Sequence, residues 1–349
     1  MLPNHRYLSL RPLALAGALL LGSTSAMASL TSAGTFTGNV GLSVDGIGSN
    51  SSPVGDVQAV IPVGATILKA YLYSAGTPSP WYGKSPTTLA QYNSAGITLA
   101  GNAVNNFDTL VGATSTRVDL GRWYTARADV TSTVQSLTAG SGTGSFSWAV
   151  SEGTLNNYID GSVLAIVYSH ASLPEGNVAL LNGGQNTGGE TTVVNLASPL
   201  GDPNAAGFVA QLGLGISFSC CSQQSTIKIN GNTLTTTAGN HNDGLISSDG
   251  SLITVGGLGD DPSNNVGYDA DDELYDLRPF LSAGDTSFTI FTNNATNDDN
   301  IFFASLYTTA KISDVTPAVP EPSSMLLLLA GVGAMGVAAH RRRREATQG

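Results

Sequence analysis

The chain has 349 residues, of which only 11% are charged and 42 are glycine, and its formal net charge is −11. The usual charged share is roughly 25%, yet 41% of the residues are apolar, which is enough to build cores and excludes a disordered chain. An acidic balance of this size also excludes nucleic acid and an anionic membrane surface as partners of the body.

In chain order, the first element is an export signal. His5, Arg6 and Arg11 form a positive start, Leu13–Leu21 is an apolar run, and Ala26-Met27-Ala28 is a small-x-small cleavage site. Residues 1–28 are therefore a secretory signal peptide, cleaved after Ala28, and the protein is expected outside the cytoplasm.

The body that follows reads as all-β. Short apolar segments bounded by Gly, Pro, Asn or Asp predict strands at Gln58–Ile61, Ile67–Tyr73, Ile97–Leu99, Phe146–Val150, Ser162–Tyr168 and Val178–Leu181. Further on they predict strands at Thr191–Leu196, Phe208–Ile216, Thr226–Ile229, Leu252–Val255, Ser287–Phe291 and Ile301–Thr308. Asn230-Gly231 is a hairpin turn signal. Asp129–Leu137 predicts one short helix, with Asp129 and Thr131 offering caps and Val130, Val134 and Leu137 sharing a face.

The body also contains a candidate repeat. Arg127-Ala-Asp129-Val leads through a Gly turn to Phe146–Val150, an Asn/Asp loop, and the strand that ends in Tyr168. Tyr275-Asp276-Leu-Arg278 leads through Gly284 to Phe288–Phe291, Asn297–Asn300, and the strand that ends in Tyr307. Upstream, Ile97–Asn102 is similar to Ile227–Asn232. The expected architecture is two tandem β-sandwich domains of jelly-roll or Ig-like type, at 29–200 and 201–315, joined near Ser198–Ala206. A single large sandwich is the competing reading. The body resembles uncharacterised β-domains of secreted bacterial surface proteins.

Candidate sites follow from residue type and spacing. Cys220 and Cys221 are the only cysteines, and export favours their oxidation. A vicinal disulfide is the leading reading, against two free thiols on opposite faces of a strand or bridges between molecules. Asp269, Asp271, Asp272, Glu273, Asp298 and Asp299 can supply the oxygens that Ca²⁺ takes in sixes to eights. The competing reading is a solvated acidic loop, and no other cofactor is implied. Trp81 and Tyr82, in a Pro/Gly loop, are the candidate carbohydrate contact, against a place capping a core; Trp148 is read as core. Catalysis has little support. No nucleophile elbow, His-Glu-x-x-His or P-loop occurs, only His170 and His241 lie in the body, and a pairing of Asp271 or Glu273 with Asp298 for glycoside hydrolysis has only clustering behind it.

The C-terminal segment, 316–349, is the most informative. Val319-Pro320-Glu321-Pro322 precedes 17 uncharged residues, Ser323–Ala339, and then Arg341, Arg342, Arg343 and Arg344 in a tail over 340–349. Two prolines in three residues keep the motif extended. The apolar run is at the short limit for a transmembrane helix, and the arginines mark a cytoplasmic flank. Setting aside both ends leaves eight basic and 23 acidic residues over 29–319, a net of −15. Motif, helix and basic tail together resemble the PEP-CTERM sorting signal of exosortase substrates. The resemblance implies recognition at Pro320, Glu321 and Pro322 by an exosortase-type membrane protease, transient inner-membrane anchoring, and cleavage near the motif. It also implies a final place at the cell surface or outside the cell.

The expected function is that of a non-enzymatic surface or extracellular-matrix protein contributing to biofilm, with exopolysaccharide or other surface proteins as partners. The alternatives are a lectin-like carbohydrate-binding module and a hydrolase whose site is assembled only in three dimensions.

Overall fold

A computed structural model describes residues 30–48, 52–76, 87–114, 122–155, 159–186, 188–219, 224–239, 252–262, 273–294 and 300–317. The described chain is mostly β-strand in several antiparallel sheets. After β1 (Thr31–Gly38) comes a first series: β2 (Val40–Gly48), β3 (Val54–Val60), β4 (Thr66–Gly76), α1 (Leu89–Asn93), β5 (Thr98–Leu99), β6 (Asn102–Ala103) and β7 (Phe107–Thr114). It continues with β8 (Arg122–Asp129), α2 (Thr131–Thr138), β9 (Ser145–Ser151) and β10 (Gly161–Ser169). The second series is β11 (Gly176–Asn182), β12 (Glu190–Leu196), β13 (Ala210–Ser217), β14 (Ser225–Ile229), β15 (Asn232–Ala238), β16 (Ile253–Val255) and β17 (Leu274–Asp276). It ends with β18 (Ser287–Asn294), β19 (Asn300–Thr308) and β20 (Ile312–Pro317). All twelve expected strands fall on these elements.

Two strand chemistries sort the sheets. Strands such as β10, GSVLAIVYS, are apolar along their length and buried at nearly every position. Strands such as β18, SFTIFTNN, alternate and bury every second residue. A strand covered on both faces needs the first pattern, and a strand with one solvated face needs the second. The first type supplies the middle of two central sheets, ordered β2-β10-β4-β8-β7 and β1-β11-β19-β13-β16, with β17 also on β13; β1, β7, β8 and β17 in these sheets are less buried. The second type builds two outer sheets, β3-β9-β5-β6 and β15-β14-β18-β12-β20.

Three cores bind these four layers. Leu72, Leu164 and Ile166 of the first central sheet pack with Val57, Trp148 and Val150 of its outer sheet. Leu212, Leu214 and Leu306 of the second central sheet pack with Val194, Ile227, Phe288 and Ile290 of its outer sheet. Between the central sheets, Tyr73, Val163, Ala165 and Val167 meet Val178, Leu180, Phe302 and Phe303. Arg127 adds a polar link there, donating from Nη1 to Asn182 Oδ1 at 3.0 Å while its guanidinium lies 4.5 Å from the Tyr71 ring centre.

Both series share one order of elements. Each runs central strand, outer strand, central strand, outer hairpin, two central strands, helical turn, outer strand, central strand, and the second adds β20 to its outer sheet. The paired central strands differ in place: β7 lies on β8 and β8 on β4, whereas β16 and β17 both lie on β13. The hairpin turns match: Ala100 and Gly101 have φ of 48° and 75°, and Asn230 and Gly231 have 50° and 79°. Two successive left-handed residues are the type I′ turn that suits strand twist. Hydrogen bonds match as well. Val130 N–H donates to Ala70 O at 2.9 Å, and Leu277 N–H to Ala210 O at 2.8 Å. Asp129 and Asp276, just before these residues, each accept from the N–H two positions on. The sequence alignment of Tyr168 with Tyr307 is out of register, however. Tyr307 lies opposite Gln211, whose counterpart Tyr71 lies opposite Ala165.

The hydrogen bonding overturns the expected boundary at residue 200. β11 and β12 precede it, yet β11 pairs with β19, and β12 with β18 and β20. The Ser198–Ala206 stretch looked like a linker because of its Pro and Gly. It is pinned instead, since Leu200 is buried and its N–H donates to Asp285 O at 2.8 Å. The change of sheet falls at 170–175. There β1–β2 and β10–β11 form a bent two-stranded ribbon, with β1 on β11 in one central sheet and β2 on β10 in the other. Gly38, at φ 128°, makes the bend, and Asn39 fixes it by donating from Nδ2 to Leu173 O at 2.6 Å.

The expected helix forms as α2, one residue further on at its C-terminal end. Its N-cap is Val130, so Asp129 acts from one residue earlier, accepting from Thr131 N–H at 2.9 Å and from Lys69 Nζ at 2.7 Å. Sequence reasoning missed β1, β2, β6, β7, β8, β15, β17 and β20. Glycines in β1 and β2 (Gly34, Gly41, Gly46), the polar runs RWYTARAD of β8 and NTLTTTA of β15, and the two- and three-residue lengths of β6 and β17 hide the strand signal.

Candidate functional site: the C-terminal exit and a glycine-walled cleft

β20 is an edge strand of the second outer sheet, paired with β12 from Leu196↔Ile312 to Thr192↔Pro317. Ile312 and Val315 are buried in the core and anchor the strand on either side of an irregularity in its pairing with β12. It ends at Pro317, and the Val319-Pro320-Glu321-Pro322 motif begins two positions later. Pro320, Glu321, Pro322, the apolar run 323–339 and Arg341–Arg344 lie outside the described residues, as does the expected signal peptide. Among the described residues, no helix is long and apolar enough to cross a membrane.

Residues 318–344 match the PEP-CTERM protein-sorting motif. No curated protein matches the chain. The PEP-CTERM motif implies an exported protein that is processed by an exosortase, which is a membrane protein.

A second feature lies where the two repeats meet. A cavity of about 240 Å³ opens between β2, the end of β10, and strands β13 and β19. Its polar lining is Tyr168, Tyr307, Gln211 and Ser305, its apolar lining includes Leu42 and Leu173, and among the described residues no charged side chain lines it. The walls are close-packed backbone. A Cβ at Gly257 would stand 2.2 Å from Val44 O, and one at Gly256 would stand 2.1 Å from Glu273 O. Glycine there is what lets the segment after β16 lie against the edge of β2, where Leu258 N–H donates to Val44 O at 2.9 Å. Burial raises the pKa of both phenols, with Tyr307 adding to the shift at Tyr168. Both hydroxyls therefore stay protonated and can donate as well as accept.

The other expected sites are placed as follows. Glu273 is buried, and its carboxylate accepts from Gly239 N–H at 2.7 Å and from Tyr275 OH at 2.5 Å. That carboxylate is a structural acceptor holding β15 to β17, not an exposed ligand. Asp269, Asp271, Asp272, Asp298 and Asp299 lie outside the described residues, as do Cys220, Cys221, Trp81 and Tyr82. Among the described residues no three His, Cys, Asp or Glu side chains come together as a metal site. Trp148 is core, stacked on Phe146 at 5.1 Å, and Trp123 is fully buried. The cleft residues were not singled out from sequence. Their one signal was the tyrosine closing each of the two aligned strands.

Proposed function

We propose that the protein is a non-enzymatic component of the cell surface or extracellular matrix, built from two β-sandwich repeats and matured by an exosortase-type system. The PEP-CTERM motif at 318–344 carries this reading. Its position is consistent with it, because in the sequence the motif follows directly on the edge strand β20. The acidic body, the low charge content and the glycine-rich turns suit a soluble module outside the cell. In this reading the apolar run 323–339 holds the precursor in the inner membrane until cleavage, and the body then acts structurally or adhesively in biofilm or exopolysaccharide.

Two measurements test it. Replacing Pro320, Glu321 and Pro322 by alanine should leave a full-length precursor in the membrane fraction, whereas the native chain appears shortened at the surface or in the medium. Deleting the gene should reduce flocculation or change the matrix. Unchanged processing in the first case, or unchanged aggregation and matrix composition in the second, counts against the proposal.

A further inference from the structure

We infer that the cleft between the repeats is a binding site for a single neutral pyranose ring, such as a terminal or branch residue of a polysaccharide. The site exists only because the repeats pack on each other: Leu42 and Tyr168 come from the first, and Gln211, Ser305 and Tyr307 from the second.

Size is the first argument. The cavity is about 240 Å³, below the ~300–1,000 Å³ of sites for drug-sized ligands. It is suited to one ring with its substituents. The second argument is charge. Among the described residues none of the lining side chains is ionised, and a body of net −15 repels anions. The third is the donor set. Three hydroxyls and one carboxamide, each able to donate and accept, match vicinal sugar hydroxyls, which do the same. The aromatic rings and the leucines supply apolar surface for the C–H faces of the ring. Finally, the walls are preformed. Gly256 and Gly257 are locked against backbone, and Ser305 and Tyr307 sit on β19, which is paired on both sides. A site held on rigid strands loses little entropy on binding.

The test uses the purified full-length chain in a detergent without a sugar headgroup. Methyl glucopyranoside, galactopyranoside and mannopyranoside are the probes, read by saturation-transfer NMR and calorimetry. Choline and glucuronate serve as charged comparators. At least one methyl pyranoside should bind, with Kd on the order of millimolar. Gln211→Leu and Tyr307→Phe keep volume and remove one hydrogen-bonding group each, and each should weaken binding about three- to tenfold. Phe146→Leu, in the distant outer layer, should leave binding unchanged. Circular dichroism and melting confirm that each variant is folded. The inference fails if no methyl pyranoside binds, if only choline or glucuronate binds, or if both cleft variants bind like the native protein. None of these outcomes depends on sorting, so the reading of the C-terminal motif stands or falls separately.

Discussion

Phe303→Ala tests whether the two repeats are one cooperative body. Phe303 is fully buried between the central sheets, with its ring centre 5.0 Å from that of Tyr73 in the other sheet. Its neighbours cannot fill the space: β19 is held by β11 on one side and β13 on the other, and the residue opposite on β13 is Gly215. Phe→Ala in such a core costs about 3–5 kcal/mol, with the larger values where the site cannot collapse. At roughly 2–3 °C per kcal/mol for a domain of this size, the melting temperature should fall by about 6–15 °C. The assay exploits the position of the tryptophans. Trp81, Trp123 and Trp148 all precede residue 150, so their fluorescence reports on the first repeat, whereas Phe303 belongs to the second. Fluorescence and far-UV circular dichroism should shift together in one transition. If fluorescence melts at the native temperature while a separate far-UV transition moves down, the repeats are independent and the shared core is not what joins them.

Two glycines separate conformational strain from steric contact. Gly231→Ala has open space around its Cβ but a φ of 79°, so the cost is the left-handed backbone alone, about 1–2 kcal/mol. Gly257→Ala drives a Cβ to 2.2 Å from Val44 O and should cost more and shift backbone, so its urea midpoint should fall further than that of Gly231→Ala. Lys69→Met probes the Lys69–Asp129 pair. Burial raises the Asp129 pKa, but hydrogen bonds from Lys69 and Thr131 outweigh it and hold the carboxyl below its usual range. Hydrogen bonding to Asp129 in turn raises the pKa of Lys69. The stabilisation is therefore present above about pH 4 and is lost as pH falls through the lowered Asp129 value; at the alkaline end it is lost as pH rises beyond about 10.5, through the raised Lys69 value. With both side chains about a third exposed, the pair is worth about 0.5–1 kcal/mol. The difference between native and Lys69→Met stability should be flat from pH 5 to about 9 and shrink below about pH 4. A difference that grows in acid refutes the assignment.

What was legible in the sequence follows from how local the determinant is. The strand at Ser162–Tyr168 was readable because a continuous apolar run between turn residues has few other solutions. The run's continuity also carried its layer, since only a strand covered twice needs apolar residues on both faces. The Asn230-Gly231 turn was readable because its backbone needs two left-handed residues in succession. The sorting motif was readable for a different reason: a linear peptide is what its processing enzyme must recognise, so the information lies in consecutive residues. The domain boundary was not readable, because β11 and β12 carry nothing that says which later strands they pair with. Pairing is settled by long-range packing, and the Pro/Gly composition of 198–206 pointed the wrong way once Leu200 found a core.

The cleft lies at the far end of that scale. Tyr168 and Tyr307 are separated by more than a hundred residues and occupy different registers in the two repeats, so neither a motif nor a residue-level alignment unites them. What brings them together is the bent ribbon at Gly38–Asn39, which carries the chain from one central sheet to the other and folds the repeats face to face. A duplicated sheet pair placed side by side would keep two separate edges and no shared cavity. Packed through their central sheets, the repeats bury the apolar faces of both and leave a recess at the corner, where the glycines after β16 replace side chains with backbone. The same packing that buries β10, β11 and β19 along nearly their whole length thus creates a recess lined by phenols, an amide and a hydroxyl from both repeats.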